Sequence, residues 1–256
     1  MDAEKANNNK RDFSQVQVIN RAVNILRAVR QYESINLSQL ARKVGLARST
    51  VYRIVATLES EGLLAFGGNG DQIQLGTEFV TFGAAVHSDF RQELRPYIED
   101  LASRTNETVD LAILDQDHLL FLDQAARPQR LRAVSGVGLT FPLHCTANGK
   151  ALLSEMPIKE IFELIPETLP AFTSKTIKTR DDLLKELDLI RSVGVAFDRE
   201  EHTLGICAVS IAVYGPSNQL AAISIPVPSV RFYGNENILV TALLEAREII
   251  NNRFRY

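Results

Sequence analysis

Apolar residues between positions 19 and 58 recur at three- and four-residue intervals in three separate runs. Ile19, Ala22, Val23, Leu26 and Val29 form the first, Leu37, Leu40, Ala41 and Val44 the second, and Val51, Ile54, Val55 and Leu58 the third. Each run predicts an amphipathic helix. Ser14 and Gln17 have capping-box spacing ahead of the first. Ser38 is the expected N-cap of the second, Arg42 and Lys43 lie in its last turn, and Gly45 ends it in a left-handed conformation. After Gly62, Leu63 to Phe66 and Gln72 to Leu75 predict a hairpin whose turn, from Gly67 to Asp71, is rich in residues that accept positive φ. Residues 13–75 thus read as three helices and a hairpin, preceded by a polar tail over 1–12 that is expected to be disordered.

The third helix carries more than packing requires. Ser49, Tyr52, Arg53 and Ala56 cluster opposite its apolar stripe, with Arg48 beside them. Such a face supplies donors for phosphates and base edges, a small residue for close approach, and a helix N-terminus that favours anions. Two helices joined by a glycine turn and followed by a hairpin make a winged helix-turn-helix, which places its second helix in the DNA major groove. The expected DNA contacts are Arg48, Ser49, Thr50, Tyr52 and Arg53, with Gly68, Asn69 and Gly70 at the wing tip. The Gly68-Asn69-Gly70 run lacks the third glycine and following helix of a dinucleotide loop.

Residues 76–91 predict a linker helix, with Phe79, Phe82, Gly83, Val86 and Phe90 on one stripe. That stripe is too apolar for a helix surrounded by water. Pairing with the same helix of a second copy would cover it and give the two-fold symmetry of a DNA half-site pair. From residue 92 the period changes. A helix beginning near Pro96 is followed by strands at 108–114, 118–124 and 130–135, then helices at 146–155, 158–164 and 180–193. Strands at 195–198, 206–214 and 219–227 and a closing helix over 236–253 complete the chain. The short connections 115–117 and 215–218 predict hairpins, so the fold class is α+β, with a mainly antiparallel sheet flanked by helices across 92–256.

A length of 256 residues suits two domains. The net charge of -3 argues against a nucleic-acid partner until it is divided: residues 1–75 carry +3 and the remainder -6. Local charge governs attraction to phosphate. Two cysteines make no disulfide framework, and no apolar run approaches the ~18 residues of a membrane helix. A soluble cytoplasmic protein with no membrane partner is expected.

Thr146 opens a helix whose first N–H groups, on Ala147, Asn148 and Gly149, are free to receive a carboxylate. The plainer role for Thr146 is an N-cap. His144, Cys145, His202 and Cys207 lack the spacing of a metal site, and no metal or other cofactor is expected. An enzyme using Cys145 as nucleophile with His144 or His202 as base is the alternative from another class. A metabolite-binding protein without DNA activity, or a winged domain that binds protein, is a further one. Adjacent residues on a strand point to opposite faces, and no nucleophile elbow, Walker loop or Rossmann fingerprint is present, so no catalytic residue is expected.

Four blocks in order resemble the IclR family of bacterial transcriptional regulators: RAVNILRAV (21–29), LSQLARKVGLARSTVYRIVATLESEGLL (37–64), PLHCTANGKALL (142–153) and the stretch from GVAFDREEHTLG to PVPSVRF (194–232). The resemblance implies an N-terminal winged domain, a dimerising linker helix and a GAF-like effector domain, assembled as a homodimer or dimer of dimers. It implies a repressor, or less often an activator, of a catabolic operon, with double-stranded operator DNA and a small carboxylate as partners. Family members that bind small oxoacids use backbone amides matching Ala147 and Asn148, an Asp matching Asp198 and a serine matching Ser224. A pocket cysteine of the family falls at Ala208, one residue after Cys207, and a second serine falls at Pro226. The implied effector set is therefore Thr146, Ala147, Asn148, Asp198, Cys207 and Ser224, with a larger or more apolar carboxylate than the family's smallest acids.

Overall fold

The computed structural model describes residues 16–32, 34–67, 71–85, 88–129, 133 and 135–254. The chain divides into two compact units, residues 1–86 and 87–256.

In the first unit, helices α1 (Gln17–Arg30), α2 (Leu37–Val44) and α3 (Arg48–Ser60) pack on a small sheet. Its strands are β1 (Ile35–Asn36), β2 (Leu64–Gly67) and β3 (Gln72–Leu75), in the order β1-β3-β2 and all antiparallel. The hairpin forms as its residues predict, while β1 is an addition that pairs Ile35 with Ile73. The core gathers Ile25, Val29, Leu40, Val51, Val55, Leu64 and Ile73. On α1 the buried face is rotated from the expected stripe. Ile25 and Ala28 are buried, whereas Ile19 and Val23 are exposed. The capping box predicted at Ser14 lies outside the described residues. Ser38 does not cap α2. Asn36 does, accepting from the Gln39 N–H at 2.9 Å while the Gln39 side chain accepts from the Asn36 N–H at 3.1 Å. Gly45 closes α2 at φ 67°, where a β-carbon would be strained.

Helix α4 (Glu78–Ala85) belongs to the first unit and buries none of its residues, leaving Val80 and Phe82 exposed. The next described helix is α5 (Ser88–Thr105); residues 86 and 87, within the linker helix expected over 76–91, lie outside the described residues. Phe90 sits on α5 and not on the linker stripe. It is buried in the second unit's core, against Gly215, where any β-carbon would come within 2.5 Å of its ring. The helix expected to begin near Pro96 instead carries that proline inside, because Phe90 and Leu94 upstream are buried on the same face as Ile98 and Leu101.

The second unit is built on β4 (Val109–Asp115), β5 (His118–Ala125), β6 (Thr140–Pro142), β7 (Ala196–Arg199), β8 (Ile206–Tyr214) and β9 (Leu220–Pro228). They form one antiparallel sheet in the order β6-β5-β4-β9-β8-β7. The strand expected at 130–135 falls largely outside the described residues, and β6 was not foreseen. Helices α6 (Ala147–Ser154), α7 (Ile158–Leu164) and α8 (Arg180–Val193) cover one face, and α5, the short α9 (Ser229–Phe232) and α10 (Glu236–Phe254) the other. Strand periodicity sorts the side chains between two cores. Cys207, Val209, Ile211 and Val213 of β8 join Ile223, Ile225 and Val227 of β9 under α5 and α10. Ala212 and Ala222, of the opposite parity, join Leu152, Leu183 and Leu187 beneath α6 and α8.

Candidate functional site

The helix-turn-helix presents one polar face. Arg48, Ser49, Tyr52 and Arg53 of α3 are exposed and Thr50 is half-buried, while Val51, Val55 and Leu58 face the core. Ala47 stands at the N-cap of α3 and gives no side-chain cap. The first N–H groups of the helix therefore remain available to an anion. Arg48 and Arg53 form no ion pair among the described residues. The wing-tip residues Gly68, Asn69 and Gly70 lie outside the described residues.

A cavity of about 210 Å³ opens on the α6 side of the second unit's sheet. Thr146, Ala147, Asn148, Asp198 and Ser224, expected from the sequence to act together, all line it. Cys207 does not. It lies on the opposite face of β8, fully buried in the core under α5 and α10, and its neighbour Ala208 lines the cavity instead. The reason is the strand period: on β7, β8 and β9 the cavity-facing residues Asp198, Ala208 and Pro226 are directly paired across the ladder, so a one-residue step inverts the side.

The α6 terminus sits close to the chain that leads into it. Thr146 accepts from the Gly149 N–H at 3.2 Å and donates to the Pro142 carbonyl at 2.8 Å, so its hydroxyl serves mainly as a cap. A β-carbon at Gly149 would come within 2.2 Å of the Leu143 carbonyl oxygen, and only glycine lets the first turn rest there. The N–H groups of Ala147 and Asn148 have no acceptor within the helix. The Asn148 side chain is buried, and its Nδ2 has no partner among the described residues. An orphaned buried donor is costly, which makes it a ligand group in waiting.

Asp198 is buried, accepts from the Glu201 N–H at 2.7 Å, and has its carboxyl pushed up to about 7, chiefly by loss of solvent. The Glu201 N–H bond opposes this shift, and the Glu201 carboxylate adds to it. Behind Asp198, the fully buried Lys150 of α6 bonds Glu201 at 2.6 Å and Glu186 at 3.3 Å. Thr176 donates to the Glu201 carbonyl at 2.6 Å, and together these contacts pin the turn after β7. The cavity wall is aromatic. Phe141 stacks on His202 with ring centroids 4.4 Å apart, and Phe172, behind the lining, stacks on the same His202 ring at 5.2 Å. Burial lowers the pKa of His202 and of His144, whose Nε2 lies 2.9 Å from the Pro170 carbonyl.

Sequence reasoning missed Asp110 of β4, which also lines the cavity. It is 1% exposed, its carboxyl is pushed up to about 6 by burial, and it receives bonds from Ser135 Oγ and, at 2.8 Å, from Gln124 Nε2. A charged residue breaking the apolar run Val109-Asp110-Leu111-Ala112 was the available signal. Cys145 has no exposure, and burial raises its thiol to about 12, which removes the thiolate a nucleophile needs. Among the described residues no His, Cys, Asp and Glu side chains gather as a metal ligand set, and no helix is long and apolar enough to cross a membrane.

Two family models match the chain. The IclR helix-turn-helix domain covers residues 18–67, and the bacterial transcriptional regulator IclR C-terminal domain covers 82–252. The chain belongs to the IclR family. It is 45% identical over 230 residues to the HTH-type transcriptional regulator Rv1719 of Mycobacterium tuberculosis, covering 90% of this chain and 89% of that protein. The TtgV regulator of Pseudomonas putida is 34% identical over 235 residues, covering 91% and 89%. An IclR homolog of Microbacterium hydrocarbonoxydans, solved in complex with 4-hydroxybenzoate, shares the fold with a TM-score of 0.83 at 21% identity, covering 93% of this chain and 99% of that one. IclR-family relatives are named as transcriptional regulators, and this chain is a DNA-binding regulator of the same kind, not an enzyme.

Proposed function

We propose that the chain is a cytoplasmic homo-oligomer that represses a catabolic operon and releases its operator when a small carboxylate occupies the cavity of the second unit. The observation that carries the effector side is Asn148 Nδ2, a buried donor with no partner among the described residues, beside the first two amides of α6. Three donors at a helix N-terminus suit a carboxylate. A carboxyl held near about 7 lets Asp198 lend a proton to that ligand at neutral pH instead of repelling it. The 4-hydroxybenzoate bound to the Microbacterium homolog supports a ligand of this class.

On the DNA side, Arg48, Ser49, Thr50, Tyr52 and Arg53 dock in the major groove of operator DNA, with Gly68, Asn69 and Gly70 as the wing tip against the backbone. The exposed α4, with Val80 and Phe82 uncovered, pairs with its counterpart in a second copy, giving a dimer or dimer of dimers. Half-sites lie about 34–36 Å apart, so a small effector-driven change in the spacing of two α3 helices costs much of the affinity.

Paired variants test the division of labour. Arg53→Ala weakens operator binding in a mobility-shift assay and leaves effector binding by calorimetry unchanged, whereas Asp198→Ala does the reverse. Folded variants of both classes that lost both activities would refute it.

A further inference from the structure

The cavity has a second polar end that the family resemblance does not supply. Asp110 lies on β4, opposite Ser224 of β9, while Asp198 lies on β7. Three strand spacings separate β4 from β7, about 14 Å between backbones at ~4.8 Å per step. Both carboxyls face one cavity, so they bound it from opposite sides.

The hydrogen-bond inventory at the Asp110 side is one-directional. Ser135 gives its hydroxyl proton to Asp110 Oδ2. Gln124 directs Nε2 to Asp110 Oδ1 at 2.8 Å, to Ser135 Oγ at 3.1 Å and to the Ser135 carbonyl. The neighbouring donors are thereby spent, and the carboxylate's remaining lone pairs are what this end offers. The α6 end is the complement: the Ala147 and Asn148 amides and Asn148 Nδ2 offer donors. Phe121, Ile206 and Pro226 add apolar lining. A cavity of about 210 Å³ is smaller than the ~300–1,000 Å³ of drug-sized sites and suits a ligand of roughly one ring.

We propose that Asp110 is a specificity-determining residue, and that the effector is a small hydroxy acid whose carboxylate meets the α6 amides and whose remote hydroxyl donates to Asp110. The inference rests on the carboxylate reading above. A hydroxyl suits this end better than an ammonium, because burying a neutral donor costs far less than burying a second charge.

The test is isothermal calorimetry of the full-length protein at pH 7.5 with matched probes: the hydroxybenzoate isomers against benzoate, 6-hydroxyhexanoate against hexanoate, and 4-(aminomethyl)benzoate. At least one hydroxylated probe binds about 10-fold or more tightly than its parent, as a hydrogen bond to a buried carboxylate provides. In Asp110→Asn that ratio falls several-fold while the affinity for the parent acid holds. Asp110→Ser serves as a second variant should the first fold poorly. A purely structural Asp110 would lower both affinities together and leave their ratio intact, which overturns the proposal. So does equal binding of hydroxylated and parent acids, or preference for the amine. If no carboxylate binds at all, the carboxylate reading itself fails.

Discussion

Asp198→Asn isolates the energetic consequence of burying a carboxyl beside the α6 terminus. The Asp198 carboxyl is pushed from 3.8 to about 7 in the folded protein. The folded state therefore holds a proton that the unfolded chain has released, and stability falls as pH rises through this window. Between pH 5 and pH 8 the shift corresponds to a loss of about 2–3 kcal/mol, an upper bound from about 1.36 kcal/mol per pKa unit. Asparagine keeps an oxygen for the Glu201 N–H but does not titrate, so the variant lacks this slope. Urea unfolding of both proteins by far-UV circular dichroism at pH 5, 6.5 and 8 measures it. His144 and His202, with lowered pKa values, act in the opposite sense, and Asp110, pushed up to about 6, in the same sense. All three are common to both proteins and cancel in the difference. Asp198→Asn is then more stable than wild type at pH 8, and the gain shrinks toward pH 5. A difference that does not change with pH would refute the burial argument.

Three other substitutions probe separate features. Gly149→Ala drives a β-carbon into the Leu143 carbonyl, costs at least the ~1–3 kcal/mol of an overpacked core, and abolishes effector-induced thermal stabilisation. Lys150→Met strands the carboxylate of Glu201 and costs about 3–5 kcal/mol by urea titration, much of which Lys150→Met/Glu201→Leu restores. Val80→Ser/Phe82→Ser on α4 lowers the sedimentation mass toward that of a single chain and weakens operator binding without changing effector affinity; an unaltered mass would exclude α4 as the pairing surface.

Local features of the fold were legible from the residues alone, and features set by distant partners were not. The hairpin of β2 and β3, the Gly45 stop and the bounds of α7, α8 and β8 follow from turn chemistry and period. The Asn36-Gln39 capping box was equally local, but Ser38 competed for the same role, and which residue leaves the helix depends on β1 pairing just upstream. Phe90 fits a linker stripe by spacing. Its burial is decided by Gly215, more than a hundred residues away. For the cavity, Ala147, Asn148, Asp198 and Ser224 were anticipated through the family resemblance and the helix terminus. Cys207 was misplaced although β8 carries the signal: Cys207, Val209, Ile211 and Val213 form the bulky row, and Ala208, Ser210 and Ala212 the small one. Small side chains mark the face where space is left. Asp110 escaped because its partners are distant in sequence: Gln124 meets it across the β4–β5 ladder, and Ser135 reaches it from the segment after β5.

That division of β8 and β9 into a bulky and a small row bears on how such a sensor changes its diet. An inserted or deleted residue in either strand would exchange the rows and place cavity residues in the core, so strand length is effectively frozen. Point substitution in the small row is free of that constraint, since Ala208, Ser224 and Pro226 face the cavity while the Val and Ile residues that stabilise the sheet face away. New ligand preferences can accumulate one side chain at a time on a scaffold whose stability is held elsewhere.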